Sequence, residues 1–383
     1  MKSKPRIFII AGEVSGDVMG AKIMSALRVY DVSGGKPQNV EFAGVGGENM
    51  RVQGLRSLFP ISDLAVMGFA EVLARARTLT HRIRQTADAI IKSRPDIVLT
   101  IDSPGFVKRV IKRVKKNGAK NIRFYHVVAP QVWAWGPGRA KLFAEIFDKL
   151  YCFFDFEAPY FTKYGLDTVA VGHPIADGLR PVIKKPVANS KEQNIALIPG
   201  SRMSEVKRLL PVLKGAAEEL RHRNPNIWWN FYIPVVETTE KYIREQTKNW
   251  RIVPTLIPGV ERYKLFAETD IAVAASGTVS AELAIMHIPT VVVYKMNPLT
   301  EFLARIFVRV KWVSLVNVLL KKSVYPELLG RKANPENIAA RVLDLTTPAV
   351  RDKIISELTR ADKLWRHGDL SPAELIARDI VRA

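Results

Sequence analysis

Four short segments of this 383-residue chain carry residues whose types and spacing suit phosphate and proton chemistry. In the first, Asp270-Ile-Ala-Val-Ala-Ala275 is an apolar run that ends in Ser276-Gly277-Thr278, after which Ala281, Glu282, Leu283 and Ala284 continue as a helix. The opening amides of such a helix lack intrahelical partners and lie at the positive end of its dipole, so this turn can hold a phosphate, with Gly277 admitting it close to the backbone. Glu282, four residues after Thr278, sits one turn further along the same face, where a carboxylate could accept hydrogen bonds from ribose hydroxyls. The plainer alternative is Ser276 or Thr278 as an N-cap with Glu282 solvated. Pro199-Gly200-Ser201-Arg202 forms a second such turn after the apolar run Asn194–Ile198. A cation at a helix start opposes the dipole, so Arg202 makes sense there if an anion lies between its guanidinium and the amides; a chance surface arginine is the alternative.

The third segment, Pro95 to Pro104, reads as a strand that delivers Asp102 to its carboxyl end, where Pro104 stops it. The fourth is Gly12-Glu13-Val-Ser15-Gly-Asp17 after the apolar run Ile7–Ala11. Ligands of open parallel sheets bind at the carboxyl ends of strands, which makes Glu13, Ser15 and Asp17 candidates, although Ser15 or Asp17 would serve equally as a helix cap. The spacing is not the GxGxxG dinucleotide fingerprint, and NAD binding is not expected.

The elements that must position these residues form two βα series. Strands are expected at 7–11, 40–43, 95–102, 122–128, 150–154 and 168–171, then at 194–198, 228–236, 270–275 and 289–294. Between the series, Pro181, Lys184, Lys185, Pro186 and Lys191 mark a linker without periodicity. The expected class is α/β with two doubly wound domains. Residues 1–175 form an N-terminal domain, 176–193 the linker, 194–345 a C-terminal domain, and 346–383 helices free to pack back on the N-terminal domain.

With 48% hydrophobic and 25% charged residues the composition is that of a globular protein, but the net charge of +21 is not ordinary and calls for an acidic partner: nucleic acid, an anionic membrane or a phosphorylated substrate. No RRM, KH or helix-turn-helix signature supports nucleic acid. From Ser103 to Ala144 there is no acidic residue, so a cationic stretch directly follows Asp102. Between Leu64 and Ile83, Val66, Met67, Phe69, Val72 and Leu73 alternate with arginines further along, a mixture suited to an acyl chain or membrane interface, or to an amphipathic helix packed on the sheet. Residues 302–310 read as a basic amphipathic helix. Trp133 and Trp135 stand in a Pro- and Gly-rich loop as packing or ligand contacts, and His173 as a contact or a turn residue. Cys152 is the only cysteine, which excludes an intrachain disulfide, and no apolar run reaches the ~20 residues of a membrane span. A cytoplasmic location, at most peripheral to a membrane, is expected.

Taken in order, Ala11-Gly-Glu-Val-Ser-Gly-Asp17, Leu64-Ala-Val-Met-Gly68, Ile101-Asp-Ser-Pro104, Pro130-Gln-Val-Trp-Ala-Trp135, Val171-Gly-His-Pro174, Pro199-Gly-Ser-Arg202, Ala275-Ser-Gly-Thr278 with Glu282, and Val313-Ser-Leu-Val-Asn317 resemble the lipid-A-disaccharide synthase family across nearly the entire chain. The resemblance implies a glycosyltransferase-B architecture of two facing domains. It implies transfer of a 2,3-diacylglucosamine from its UDP derivative to 2,3-diacylglucosamine 1-phosphate, giving the β-1,6-linked lipid A disaccharide, with no metal or other cofactor. It further implies peripheral attachment to the cytoplasmic face of the inner membrane and leaves room for a homodimer. Asp102 matches the catalytic base. Arg202, with Gly200 and Ser201, Glu282 and Asn317 match donor-site positions, and Glu13 and Ser15 match the first loop. Two positions depart from the family pattern: Gly105 replaces an acid that often follows the aspartate, and Gly330 replaces a glutamine. A UDP-N-acetylglucosamine epimerase or a peptidoglycan glycosyltransferase would share the architecture without needing the apolar stripe after Leu64.

Overall fold

The computed structural model describes residues 5–29, 40–64, 76–118, 121–134, 136–182, 192–295 and 311–382. The chain forms two compact units, Met1–Pro174 with Arg366–Ala383, and Ile175–Trp365. In the first, β1 (Arg6–Ala11), α1 (Val14–Val29), β2 (Glu41–Val45), α2 (Glu48–Val52), α3 (Ala76–Ser93), β3 (Ile97–Ile101), α4 (Pro104–Lys116), β4 (Arg123–Val127), α5 (Arg139–Ala144), β5 (Lys149–Cys152), α6 (Pro159–Thr162) and β6 (Asp167–Ala170) follow one another. Their strands make a parallel six-stranded sheet in the order β2-β1-β3-β4-β5-β6. In the second come β7 (Glu192–Ile198), α7 (Met203–Arg223), β8 (Trp228–Val235), α8 (Glu237–Thr247), β9 (Thr255–Pro258), α9 (Arg262–Glu268), β10 (Ile271–Ala275), α10 (Thr278–Ile285), β11 (Thr290–Tyr294), α11 (Leu315–Leu320), β12 (Glu327–Leu329), α12 (Pro335–Thr346) and α13 (Pro348–Trp365). This sheet is also parallel, ordered β12-β11-β10-β7-β8-β9. The expected α/β class with two doubly wound sheets is the one the chain adopts.

Covering of both sheet faces explains the uninterrupted apolar runs. Along β1, Phe8 and Ile10 enter one core cluster with α3 and α4, while Ile7, Ile9 and Ala11 enter another on the opposite face with α1, as the two-residue period of a strand requires. The second cluster is completed by α14 (Pro372–Arg382), through Ala373, Ile376, Ala377 and Ile380. Tyr151 donates to Asp379 at 2.7 Å, and Lys149 bridges Asp379 and Asp167 at 2.7 and 3.0 Å. The last helices are thus divided: α13 packs on α10, α11 and α12 of the second unit, and α14 on α1 of the first.

In each sheet the strand order reverses once, between β1 and β3 in the first and between β7 and β10 in the second. A reversal sends the adjoining connections to opposite faces and opens a crevice at the carboxyl ends of those strands. All four segments that drew attention in the sequence follow these four strands.

Two strands escape the sequence reading, β9 and β12, both at edges of the second sheet. Each is short, and β9 ends on a proline, which is tolerated at an edge where the missing amide needs no partner. Val66, Met67, Phe69, Val72, Leu73, Trp135 and the helix expected at 302–310 lie outside the described residues. So does the linker from 183 to 191. Within the described part of the basic stripe, Arg82 pairs with Asp63 at 2.7 Å and lies over the Phe59 ring, and Ile83 packs on the core, as an amphipathic helix on the sheet would. Among the described residues no helix is long and apolar enough to cross a membrane.

Candidate functional site

The crevice between β7 and β10 is a cavity of about 580 Å³. It joins Gly200, Ser201 and Arg202 after β7 to Ser276, Gly277 and Thr278 after β10, with Glu282 from the second turn of α10. Gly277 is the N-cap of α10 and takes φ 152°, a conformation that disfavours any side chain, while the position a Cβ would occupy has no heavy atom within 4 Å. No side chain caps α10 among the described residues, so neither Ser276 nor Thr278 plays that part. Ser276 instead donates to the Val313 carbonyl at 3.1 Å. Arg202 occupies the N-cap position of α7, two-thirds exposed, with Glu205 at 3.1 Å.

Glu282 is buried rather than solvated. Its carboxylate accepts Arg262 Nη2 and Nε at 3.1 and 3.3 Å and the Tyr263 hydroxyl at 2.9 Å. Partial burial alone would lower the Arg262 pKa, but Glu282 and Tyr263 together outweigh it and the net shift is upward. Burial and the same carboxylate also raise the Tyr263 phenol. Arg262 borders the cavity and is not among the residues expected from the sequence. Its sequence signal is the same as that of Arg202, a cation at a helix start after a glycine turn.

Asn317 is fully buried and does not line the cavity. Its amide donates to Tyr325 O and Glu327 Oε1 at 2.9 and 2.8 Å, and its oxygen accepts the Val324 and Tyr325 amides at 2.8 and 2.9 Å. Glu327 also accepts the amides of Val313 and Ser314. Asn317 therefore braces the loop whose Val313 carbonyl holds Ser276, one step removed from the cavity.

In the first unit, Asp102 and Ser103 follow β3 with φ of 56° and 48°, left-handed values that cost roughly 1–2 kcal/mol each for residues with a Cβ. The strain is held by Asp102 N donating to Val127 O at 3.1 Å, by Ser103 N donating to Asp102 Oδ1 at 2.7 Å, and by Pro104 opening α4. A Cβ on Gly12 would run into the Ser103 hydroxyl, so glycine is what lets the ends of β1 and β3 close on each other. Glu13 stands beside them with its carboxyl pKa raised, by partial desolvation and then by the negative charge of Asp102. Ser15 is exposed in the first turn of α1. Asp17 is a cap, though not of its own helix: buried, it accepts the amides of Gly47, Asn49 and Met50 at 2.7, 2.9 and 3.0 Å, satisfying the start of α2.

A second group of loops closes the carboxyl edge beyond β4, β5 and β6. The buried Glu157 carboxyl accepts the Phe153 and Phe154 amides at 3.1 Å each and the Trp133 indole at 3.4 Å. Trp133 packs edge-on against Phe156, and His173 stacks on Phe154. Both residues are engaged in packing, and burial lowers the His173 pKa to about 4, keeping the ring neutral. Burial also raises Glu157 to about 7 from 4.5. A carboxyl raised in this way keeps a proton in the folded state that the unfolded chain has released, so its contribution to stability is full below the unfolded pKa and is lost as pH rises to about 7. Wild type is therefore expected to lose on the order of 3 kcal/mol relative to Glu157→Gln between about pH 5 and pH 8. Denaturant midpoints of both proteins across that range check it; a constant difference would mean that Glu157 does not titrate there.

A family model described as lipid-A-disaccharide synthetase matches residues 7–366. A lipid-A-disaccharide synthase of Rhodospirillum centenum is 39% identical over 384 residues, covering 98% of this chain and 94% of its own. A probable mitochondrial lipid-A-disaccharide synthase of Arabidopsis thaliana is 33% identical, covering 88% and 78%. Among solved structures, the UDP-GlcNAc 2-epimerase of Neisseria meningitidis bound to UDP-GlcNAc has a TM-score of 0.61 at 12% identity, covering 99% of this chain and 100% of its own. MurG of Acinetobacter baumannii has a TM-score of 0.60 at 12% identity, covering 99% of each. At such identities the likeness is one of fold alone.

Proposed function

Because the chain belongs to the lipid-A-disaccharide synthetase family, we propose that it is an inverting glycosyltransferase that moves 2,3-diacylglucosamine from UDP to the 6-hydroxyl of 2,3-diacylglucosamine 1-phosphate. The observation that carries the reading is the cavity at the β7/β10 reversal, where two glycine turns, two helix starts, Arg202 and Glu282 converge. UDP is already a good leaving group. What departure needs is stabilisation of the charge that develops on its diphosphate, which Arg202 and the opening amides of α7 and α10 supply. Glu282 takes a ribose hydroxyl. The acceptor hydroxyl attacks the anomeric carbon as the bond to the diphosphate breaks, and Asp102 takes the hydroxyl proton, so one displacement turns an α-linked donor into a β-linked product.

The acyl chains are assigned to the stripe containing Val66, Met67, Phe69, Val72 and Leu73. The exposed cations of α4, among them Arg109, Lys112 and Lys116, suit the anionic cytoplasmic face of the inner membrane, to which we assign the protein as a peripheral partner. The test compares turnover of the acylated donor and acceptor with that of the same pair lacking acyl chains. The acylated pair is expected to react far faster, giving a β anomer by NMR; equal rates on the bare sugars would remove the lipid from the reading. Cosedimentation with anionic vesicles is expected to fall as salt rises, and binding indifferent to salt counts against the cationic face.

A further inference from the structure

Arg262 and Tyr263 open α9, and the side chains of both are bound to the Glu282 carboxylate. We infer that they are positioning residues that hold Glu282 so that its carboxylate accepts from a single ribose hydroxyl of the donor nucleotide, an inference that rests on reading this cavity as the UDP site. A carboxylate offers about four lone-pair positions. Among the described residues three are taken: Oε1 by Arg262 Nη2 and the Tyr263 hydroxyl, Oε2 by Arg262 Nε. One position, on Oε2, is left for a ligand.

The guanidinium is itself committed to the protein. Besides Glu282, Nη1 donates to Gly259 O at 3.2 Å and Nη2 to the Tyr263 hydroxyl at 2.7 Å, and the charge lies 4.2 Å from the centre of the Tyr263 ring. Arg202, by contrast, has one carboxylate contact and a largely exposed side chain, as a group that meets a diphosphate should. The two arginines that line the cavity among the described residues thus divide the work: Arg202 faces the phosphates, and Arg262 fixes the orientation of an acid whose own side chain is 8% exposed. A planar fork is suited to that task, because two parallel donors define the plane of the carboxylate as well as its distance.

The consequence is selectivity between the two ribose hydroxyls. Calorimetric affinities of UDP, 2′-deoxy-UDP and 3′-deoxy-UDP are to be measured on wild type, Arg262→Met, Arg262→Lys and Tyr263→Phe. Wild type is expected to bind one deoxy analogue about 10- to 100-fold more weakly than UDP and the other within about threefold. In Arg262→Met, where the stem remains and the fork is gone, the two analogues should come within about threefold of each other. Tyr263→Phe and Arg262→Lys should fall between. If Arg262→Met weakens all three ligands alike and keeps the wild-type ratio, Arg262 serves the phosphates or the fold and the inference is overturned. If wild type binds both analogues as tightly as UDP, the ribose role of Glu282 fails whatever the variants do; if it binds both more weakly and alike, the carboxylate serves two hydroxyls and the inference is overturned while the ribose role stands. Should Arg262→Met not fold, the ratio in Tyr263→Phe decides by the same criterion.

Discussion

Asp102→Asn is expected to lower kcat by about 10²- to 10⁴-fold, the usual contribution of a general base, while UDP affinity stays within a factor of about two. Asparagine is the informative replacement because the position sits at φ 56°. Asparagine and aspartate tolerate that region better than other residues with a Cβ, and the amide oxygen can still accept the Ser103 N–H that now meets Asp102 Oδ1. Alanine would lose both features and confuse strain with chemistry. Among the described residues the cavity proposed for UDP is lined by the second unit alone, which is why binding should survive. A second readout is the Glu13 carboxyl. Its pKa is raised by desolvation and by the Asp102 charge, so the variant should leave the first contribution and remove the second, shifting Glu13 downward in a carbon-detected NMR titration. Turnover near wild type would take Asp102 out of the mechanism.

Arg202→Ala is expected to weaken UDP binding by about 10- to 100-fold, the range for removing a hydrogen bond to a charged group. Two effects work in opposite directions. In the free protein Arg202 already has Glu205 at 3.1 Å, so its contact with phosphate replaces one that exists, which reduces the loss. The variant also strips Glu205, whose side chain is only 20% exposed, of that cation and leaves a bare carboxylate on the cavity wall, which increases it. Adding Glu205→Gln to Arg202→Ala should therefore recover part of the affinity. Calorimetry with UDP on the three proteins separates these effects, and an unchanged affinity in Arg202→Ala would mean that the guanidinium does not meet the nucleotide.

The parts of the molecule that could be read in advance are those encoded by neighbours in the chain. β1, β3 and β10 are buried on both faces and so appear as unbroken apolar runs, and the turns after β7 and β10 announce themselves by glycine and a change of period. β12 could not be found this way. With three residues at an edge it has no period to detect, yet it supplies Glu327 to the loop behind Ser276. Partners distant in sequence were equally hidden. Arg262 gains its meaning from a carboxylate 20 residues away, and Asn317 from four hydrogen bonds to residues 324, 325 and 327. Asp17 reads as an ordinary helix-start acid until the amides of α2 close around it. Tertiary pairing of polar groups leaves almost no trace in local composition, because any one of them alone would be at home on a surface.

The seat of α14 has a consequence for how the chain is made. The helix that walls α1 is encoded after the whole of the second unit, so a ribosome must translate all of that unit before Ile23, Leu27 and their neighbours receive their cover. Domains usually mature in the order of synthesis, whereas here the nascent first unit waits with apolar side chains exposed until the second has emerged. The half that is started first is therefore finished last, and the two mature as a nested pair.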